Sequence, residues 1–407
     1  MSGALVQLVA YGSEDISLTS NPEMSFFNSV YKRYTNFSME SIENLFTDKP
    51  KFGTMNTIKI KRYGDLVSDM YLELILPYDP CLVDSFWTNR IGFNLLKKVE
   101  LYIGKKLIDT MYGLWCHIWV ELTHPIDKKL LIGKMIGCTG LNGYSGGLPV
   151  NIPHRLNIPL FFSFCRHPGL AIPLLAIQNN QEITLKFFFN NKINCIQKGN
   201  MPLGDISHLK LWVEYIYLEK EEQVKFAQTP LEFLIETTQH FTWNLPRGIK
   251  NISLPFNMMC KEMMWVVRKN NNKDSCNTRL PAIMDSCINN YGDKFTNFTF
   301  DHIISMVKKV QFKFNSLDVF SSGYRMNDYF NYIIPYQSHT GCPDLGINAY
   351  SFSLYPENLE PSGIINFLHL NSANINIESY HGGVLEMFSF NYNILSFSNG
   401  DFSLAYN

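Results

Sequence analysis

Charge is scarce in this chain. Lys, Arg, Asp and Glu together make up 17% of its 407 residues, against the ~25% usual in soluble domains, which points to a surface partly covered by partners. A basic excess is missing too. The net charge is −1, whereas proteins that hold nucleic acid cluster Lys and Arg to neutralise phosphates; direct packaging of a genome by this chain is therefore not expected. Nine Cys occur, none in a CxxC pair. An odd number at irregular spacing excludes a secreted disulfide framework and fits reduced thiols in a cytosolic setting, and no Cys and His cluster at the spacing of a zinc site. No run of ~18–20 uncharged apolar residues exists to span a bilayer. The opening MSGALVQLVAYG lacks the basic and long apolar regions of a signal peptide.

Catalytic signatures are also missing. There is no GxSxG elbow, no HExxH and no GxGxxG opening a helix. The glycine-rich stretch 137–149 has no Lys-Ser or Lys-Thr in the phosphate-loop frame and reads as a surface loop. Of ten His, His117 and His124 sit seven apart, the wrong spacing for a metalloprotease helix, and His154, His167, His339 and His381 stand alone. Cys165, Arg166 and His167 put a thiol near an imidazole in sequence, but a nucleophile and its base normally meet through the fold. Glu121 and Asp127 have no assignable carboxylate partner. No catalytic, metal or cofactor-binding residue is assigned, and neither a cofactor nor an enzymatic activity is expected. Three Asn-x-Ser/Thr triplets begin at Asn36, Asn251 and Asn297; without a signal peptide they are not expected to carry glycans.

What the chain does have is aromatic residues, 14% of the total with 30 Phe and 21 Tyr. These suit pleated faces and interfaces alike, so composition alone leaves a monomeric β-protein with large cores and an assembling one equally open. Length exceeds one ordinary core and suggests two domains. Strand patterns of period two recur: Leu72, Leu74 and Leu76; Val99, Leu101 and Ile103; Ile183 to Phe189; Leu209 to Tyr217; Val310, Phe312 and Phe314; Tyr350, Phe352 and Leu354; Ile375 and Ile377. Met263 to Val267 is a continuous apolar run, the mark of a strand buried on both faces, and residues 385–397 form a long aromatic strand candidate. Helical spacing is expected over Ser25 to Tyr34, where Phe26, Phe27, Val30, Tyr31 and Tyr34 recur, and over the charged piece up to Gln228, with Pro230 at a further helix start. Strand-rich, polar helical piece, strand-rich: the order argues against βαβ units and for two antiparallel sandwiches, with jelly rolls the leading candidate among Greek-key arrangements.

A series of phrases then carries a resemblance over nearly the whole chain. GALVQLVAYGSEDISLTSNPEMSFFNSVYKRYTNFSMESIE at 3–43, KRYGDLVSDMYLELILP at 61–77 and LLKKVELYIGKKLIDTMYGLWCHIWVELT at 95–123 resemble the major capsid proteins of the nucleocytoplasmic large DNA viruses. So do PLFFSFCRHPGLAIPLLAIQ at 159–178, LWVEYIYLEKEEQVKFAQTPLEFLIE at 211–236, KEMMWVVRKN at 261–270, YFNYIIPYQSHTGCPDLGINAYSFSLYPENLEPSGIINF at 329–367 and the closing FNYNILSFSNGDFSLAYN. Residues 270–300 depart from the pattern. In this resemblance 95–123 is a strand pair followed by a helix, and 159–178 a Phe-rich strand followed by the turn His167-Pro168-Gly169.

The resemblance implies an all-β fold of two tandem eight-stranded jelly-roll β-sandwiches with short helical insertions. Its parts are a base segment at 1–24, a first roll at 25–215, a linker at 216–240 and a second roll at 241–407. It implies a homotrimer of pseudo-hexagonal outline that tiles an icosahedral shell. Neighbouring capsomers, minor capsid and penton proteins, and proximity to an inner viral membrane complete the expected partners, in a virion assembled in the host cytoplasm. At the base, Leu5, Val6, Leu8 and Val9 are expected to pack within the capsomer. A minor or paralogous capsid protein of the same fold, a glycan-binding jelly roll of the virion and a cupin-type metalloenzyme remain as alternatives.

Overall fold

The computed structural model describes residues 3–10, 12–13, 16–29, 31–139, 145–178, 180–269, 295–296, 298–300, 304–398 and 400–406. Residues 1–36 form one unit and residues 37–407 another. The first unit contains a short helix, α1 (Gly3–Val9), in which Leu5, Val6 and Val9 are exposed. The expected helix over 25–34 does not form: the described residues there are turns and irregular chain. Phe26, Phe27, Tyr31 and Tyr34 are between 80% and 99% exposed. A helical stripe of this length has no stability without a surface to pack on, so periodicity alone was not enough.

The second unit holds two sandwiches of antiparallel strands. In the first, strands are β1 (Phe37–Leu45), β2 (Met55–Lys59), β3 (Leu66–Ile75), β4 (Leu96–Ile103), β5 (Lys106–Met111), β6 (Arg155–Pro159), β7 (Ile183–Phe189) and β8 (Ser207–Leu218). Sheet I runs β1-β8-β3-β6 and sheet II runs β2-β7-β4-β5. Between β5 and β6 lie two helices, α2 (Gly113–Thr123) and α3 (Ile126–Ile136). Helix α3 stops at Gly137, whose left-handed φ of 84° suits glycine and where a Cβ would lie 2.7 Å from Ile91 and Leu148.

Helix α4 (Lys220–Gln228) leads to the second sandwich. Its strands are β9 (Leu231–Leu245), β10 (Gly248–Ser253), β11 (Met259–Lys269), β12 (Val307–Phe314), β13 (Asn348–Ser351), β14 (Ala373–Ser379), β15 (Gly383–Ser398) and β16 (Asp401–Leu404). Sheet III runs β9-β15-β11-β13, with β16 on β15, and sheet IV runs β10-β14-β12 and is completed by the short pieces Leu317–Asp318 and Arg325–Met326. With the two short pieces counted as one fifth strand and β16 left aside, the same strands pair in chain order within each sandwich: first, eighth, third and sixth in one sheet; second, seventh, fourth and fifth in the other. That arrangement is a jelly roll, and the chain is a double jelly roll.

Alternation sets the first roll. Strand β7 buries Ile183, Leu185, Phe187 and Phe189 and turns Thr184, Lys186 and Phe188 outward, because only one side of sheet II faces the core. The stretch 216–240 holds the end of β8, α4 and the first residues of β9. Pro230 thus precedes a strand and not a helix, since the residues after it pair along the whole length of β15. The Phe-rich segment near 160 is likewise not a strand. Ser163–Arg166 is a helical turn and Pro168–Leu170 a 3₁₀ turn, because Phe162 and Phe164 pack inward, with rings stacked 5.8 Å apart. Strand β13 ends at Ser351, before Phe352 and the 72%-exposed Leu354. Most of residues 270–300, including Asn297, lies outside the described residues, as do 140–144 of the glycine-rich stretch. Among the described residues no helix is long and apolar enough to cross a membrane.

Candidate functional site at the junction of the two rolls

The two central strands of sheet III, β11 and β15, are buried on both faces. Met263, Trp265 and Val267 of β11 fill the core of the second roll, while Met264 and Val266 belong to a core continuous with the first. From β15, Leu385 and Met387 point one way and Phe388 and Phe390 the other. What covers the outer face is α2, in which every residue from Gly113 to Leu122 is buried. Trp115 and Trp119 stack on each other at 5.5 Å and reach Phe390 at 5.6 and 5.2 Å. Tyr112 lies 4.5 Å from His240, which stacks on Phe388 at 4.4 Å. Burial, then Arg268, lowers His240 to about 4, so this imidazole is neutral near pH 7 and behaves as another flat ring.

Ionic groups are set into this apolar surface. The Arg166 guanidinium lies 2.5 Å from the Glu236 carboxylate and covers the rings of Trp119 and Phe390 at 5.0 and 4.9 Å. Lys261, its side chain fully buried, pairs with the same carboxylate. The Ser163 hydroxyl donates to the Glu236 carbonyl at 2.6 Å and accepts from its N–H at 2.8 Å. Asp109 of β5 accepts from the N–H of Thr238 in β9 at 3.1 Å; burial nevertheless raises its carboxyl to about 6.

A second polar group lies at the other end of α2. Arg90, with a left-handed φ of 53°, contacts Glu121 at 2.7 Å, Asp344 at 3.6 Å and His117 Nδ1 at 2.5 Å. Burial disfavours the charge on Arg90, but Glu121 and Asp344 outweigh it. Burial would raise the Glu121 carboxyl; Arg90, His117 and Lys129 bring it down to about 2. Lys129 donates to Glu121 Oε2 at 2.9 Å and across the junction to the Cys342 carbonyl at 2.5 Å. The Gly341 N–H donates to the Leu122 carbonyl at 2.7 Å and the Thr340 hydroxyl to the Thr123 carbonyl at 2.6 Å. Behind them His339 pairs with Glu262 at 2.5 Å and Glu357 at 3.2 Å.

Most of the residues weighed for chemistry in the sequence are thereby placed. Burial first, and Arg90 next, push His117 far down. His124 bonds to Thr123 at 2.8 Å, and His154 to the Pro149 carbonyl at 2.9 Å. Cys165 donates to the Ser68 carbonyl, while His167 accepts from the Gly169 N–H, so thiol and imidazole serve separate partners. Burial raises the Cys165 thiol far above its usual range, the reverse of an activated nucleophile. Asp127 sits in the first turn of α3, where a carboxylate complements the helix dipole. Among the described residues no three His, Cys, Asp or Glu are placed to hold a metal. Two clefts flank the junction. One, of about 690 Å³, is lined by Lys97, Lys98, His240, Arg268 and Glu386; the other, of about 370 Å³, by Trp119, His124, Arg166, Glu236 and Glu357. Sequence reasoning missed Arg90, Arg166, Glu236, Lys261 and Asp344 as a set. The single hint was Lys261-Glu262, two charges inside an otherwise apolar strand.

Two rolls of the same strand order, fused by an aromatic and ionic junction, define a double jelly-roll protein. Residues 25–219 match the family of the major capsid protein N-terminus, and residues 222–402 that of the large eukaryotic DNA virus major capsid protein. The chain belongs to the major capsid protein family of the large eukaryotic DNA viruses. It is 34% identical to the major capsid protein of Pyramimonas orientalis virus, over all of both chains. It is 31% identical to that of Paramecium bursaria Chlorella virus 1, over 93% of this chain and 87% of the relative. The PBCV-1 capsid structure superposes with a TM-score of 0.79 at 27% identity, covering 94% of this chain and all of that one. The Faustovirus major capsid protein shares the fold at 14% identity, with a TM-score of 0.73 over 97% and 96% of the two chains. These relatives are structural capsid proteins, and the chain is a structural protein of the same kind and not an enzyme.

Proposed function

We propose that three copies of the chain form a capsomer of pseudo-hexagonal outline, and that such capsomers tile the icosahedral shell of a large DNA virus. The observation that carries this reading is the continuous core between the rolls. It makes one chain a rigid pair of like blocks, so threefold symmetry presents six blocks to the neighbours. A jelly roll closes its sheets and blunts their edges, which lets such blocks stand side by side without strand-edge aggregation. Neighbouring capsomers are the first partners under this reading. Minor capsid and penton proteins, and an inner membrane beneath the base segment at 1–24, follow from the same place in the shell, with assembly in the host cytoplasm. The test is the mass of the purified chain in solution by light scattering after gel filtration. A stable species of about 141 kDa, three times the 47.0 kDa chain, is expected. A monomer over a wide range of concentration would overturn the trimer.

A further inference from the structure

The junction inside the chain is built from two pieces, the outer face of sheet III and the helix between the fifth and sixth strands of the first roll. Each roll owns both pieces, and the chain uses only one of each. The unused sheet face is that of sheet I. Strand β3 of this sheet alternates between buried and half-exposed residues, and β1 is exposed along most of its length, unlike β11 and β15, which are buried almost throughout. On the outer face of sheet I, Phe37, Met39 and Leu45 are 52%, 47% and 59% exposed. Beside them Tyr71 and Trp212 stack at 6.1 Å, Trp212 donates to Glu73 at 2.7 Å, and Glu43 pairs with Lys210 at 2.7 Å. Aromatic rings interspersed with charged pairs, flanked by exposed apolar side chains, suit a protein interface.

The unused helical piece lies between the Arg325–Met326 strand and β13. It comprises the turns Tyr329–Ile333 and Ile334–Ser338. Phe330 is buried in the core of the second roll and Ile334 in the core continuous with the first, while Tyr332, Ile333 and Tyr336 are 52%, 45% and 89% exposed. Where the two pieces meet within the chain both are buried; where they do not, Phe37, Met39 and Leu45 of one and Tyr332, Ile333 and Tyr336 of the other stay exposed, with α4 covering only the Ile216 end of sheet I through Phe226.

We infer that the outer face of sheet I receives the helical segment Tyr329–Ser338 of a second copy of this chain, as sheet III receives α2 within one chain. The inference rests on the trimer reading and names its contact. Such a contact is heterologous, each chain giving its segment to one neighbour and its sheet to the other, and it closes when the ring is complete.

The experiment uses the full chain with Met39→Glu and Tyr336→Glu, made separately at exposed positions that leave melting unchanged within about 2 °C. Light scattering is expected to give a wild-type trimer and two monomeric variants, each associating about 30-fold or more weakly. An equimolar mixture of the variants is expected to recover a two-chain species, because one intact segment then meets one intact sheet. If both folded variants remain trimeric, the assignment of these surfaces is wrong while the trimer stands. If the variants are monomeric but their mixture stays so, these two surfaces are not each other's partners. A monomeric wild type overturns the trimer itself, and the contact with it.

Discussion

The guanidinium of Arg166 in the first roll lies 2.5 Å from the carboxylate of Glu236 in the first strand of the second, 70 residues further on. Glu236 also pairs with Lys261, whose amine burial, and then Arg166, lowers to about 7, so one carboxylate serves two buried basic groups. Removing one partner of a buried pair leaves an uncompensated charge and costs ~3–5 kcal/mol, whereas replacing the whole set by apolar residues is often neutral. Glu236→Gln is therefore expected to destabilise the chain by about 3–5 kcal/mol in urea unfolding. The triple variant Arg166→Met, Glu236→Leu, Lys261→Met should unfold within about 2 kcal/mol of wild type. A triple variant as weak as Glu236→Gln would show that the ions bind the rolls together and do more than fix their register.

Gly341 approaches the end of α2 closely. A Cβ there would lie 2.5 Å from the carbonyl oxygens of Glu121 and Leu122, too near for any side chain. Gly341→Ala should push the 340–342 segment off the helix and weaken the Gly341–Leu122 and Thr340–Thr123 hydrogen bonds. Overpacking of this kind costs ~1–3 kcal/mol. The expected readout is faster amide exchange at Gly341 and in the last turn of α2, with the sheet amides of both rolls still protected. Unchanged exchange at residue 341 would refute the close approach.

The strands of the first roll were legible where one face meets water: Ile183 to Phe189 alternates and is buried in alternation. In the second roll the same reading weakens, since β11 is covered on both sides and shows a continuous run, Met263 to Val267, that hides its register. The junction was not legible. Arg166, Glu236 and Lys261 are far apart in sequence, and nothing in one sequence marks which apolar residues of β15 face the partner roll. The resemblance implies a strand at Phe161 to Phe164, where a short apolar run fits a strand or a buried turn equally well. The stripe from Phe26 to Tyr34 misled because periodicity reports a face and says nothing about whether anything covers it.

Phe187 and Phe188 test the register of β7 directly. Phe187 is fully buried, 5.5 Å from Phe46 and 6.4 Å from Phe189. Phe188 points the other way, with the Lys98 ammonium 4.6 Å from its ring. Phe187→Asp buries an unpaired charge and leaves a cavity, so a loss of at least about 5 kcal/mol and no soluble folded product are expected. Phe188→Asp places a carboxylate beside Lys98 and should fold with a change near 1 kcal/mol. Expression of both variants, followed by circular dichroism, distinguishes them. A folded Phe187→Asp would mean that the strand is turned over.

His339 supplies the pH dependence. Burial alone would lower its pKa, but Glu262 at 2.5 Å and Glu357 at 3.2 Å outweigh burial and hold it up to about 9. Its folded pKa thus lies above the ~6.5 of an unfolded histidine, and the folded state binds the extra proton between these values. The contribution is complete below about pH 6.5 and is lost as pH rises through about 9, with stability falling over that window. A shift of this size corresponds to roughly 3 kcal/mol as an upper bound. Other groups titrate in the same range, so the quantity to measure is the difference between urea-unfolding free energies of wild type and His339→Gln from pH 6 to 10. That difference should be largest at pH 6 and shrink steadily towards pH 10. A difference independent of pH would show that the imidazole is neutral in the folded chain, and that Glu262 and Glu357 are held by hydrogen bonds without its charge.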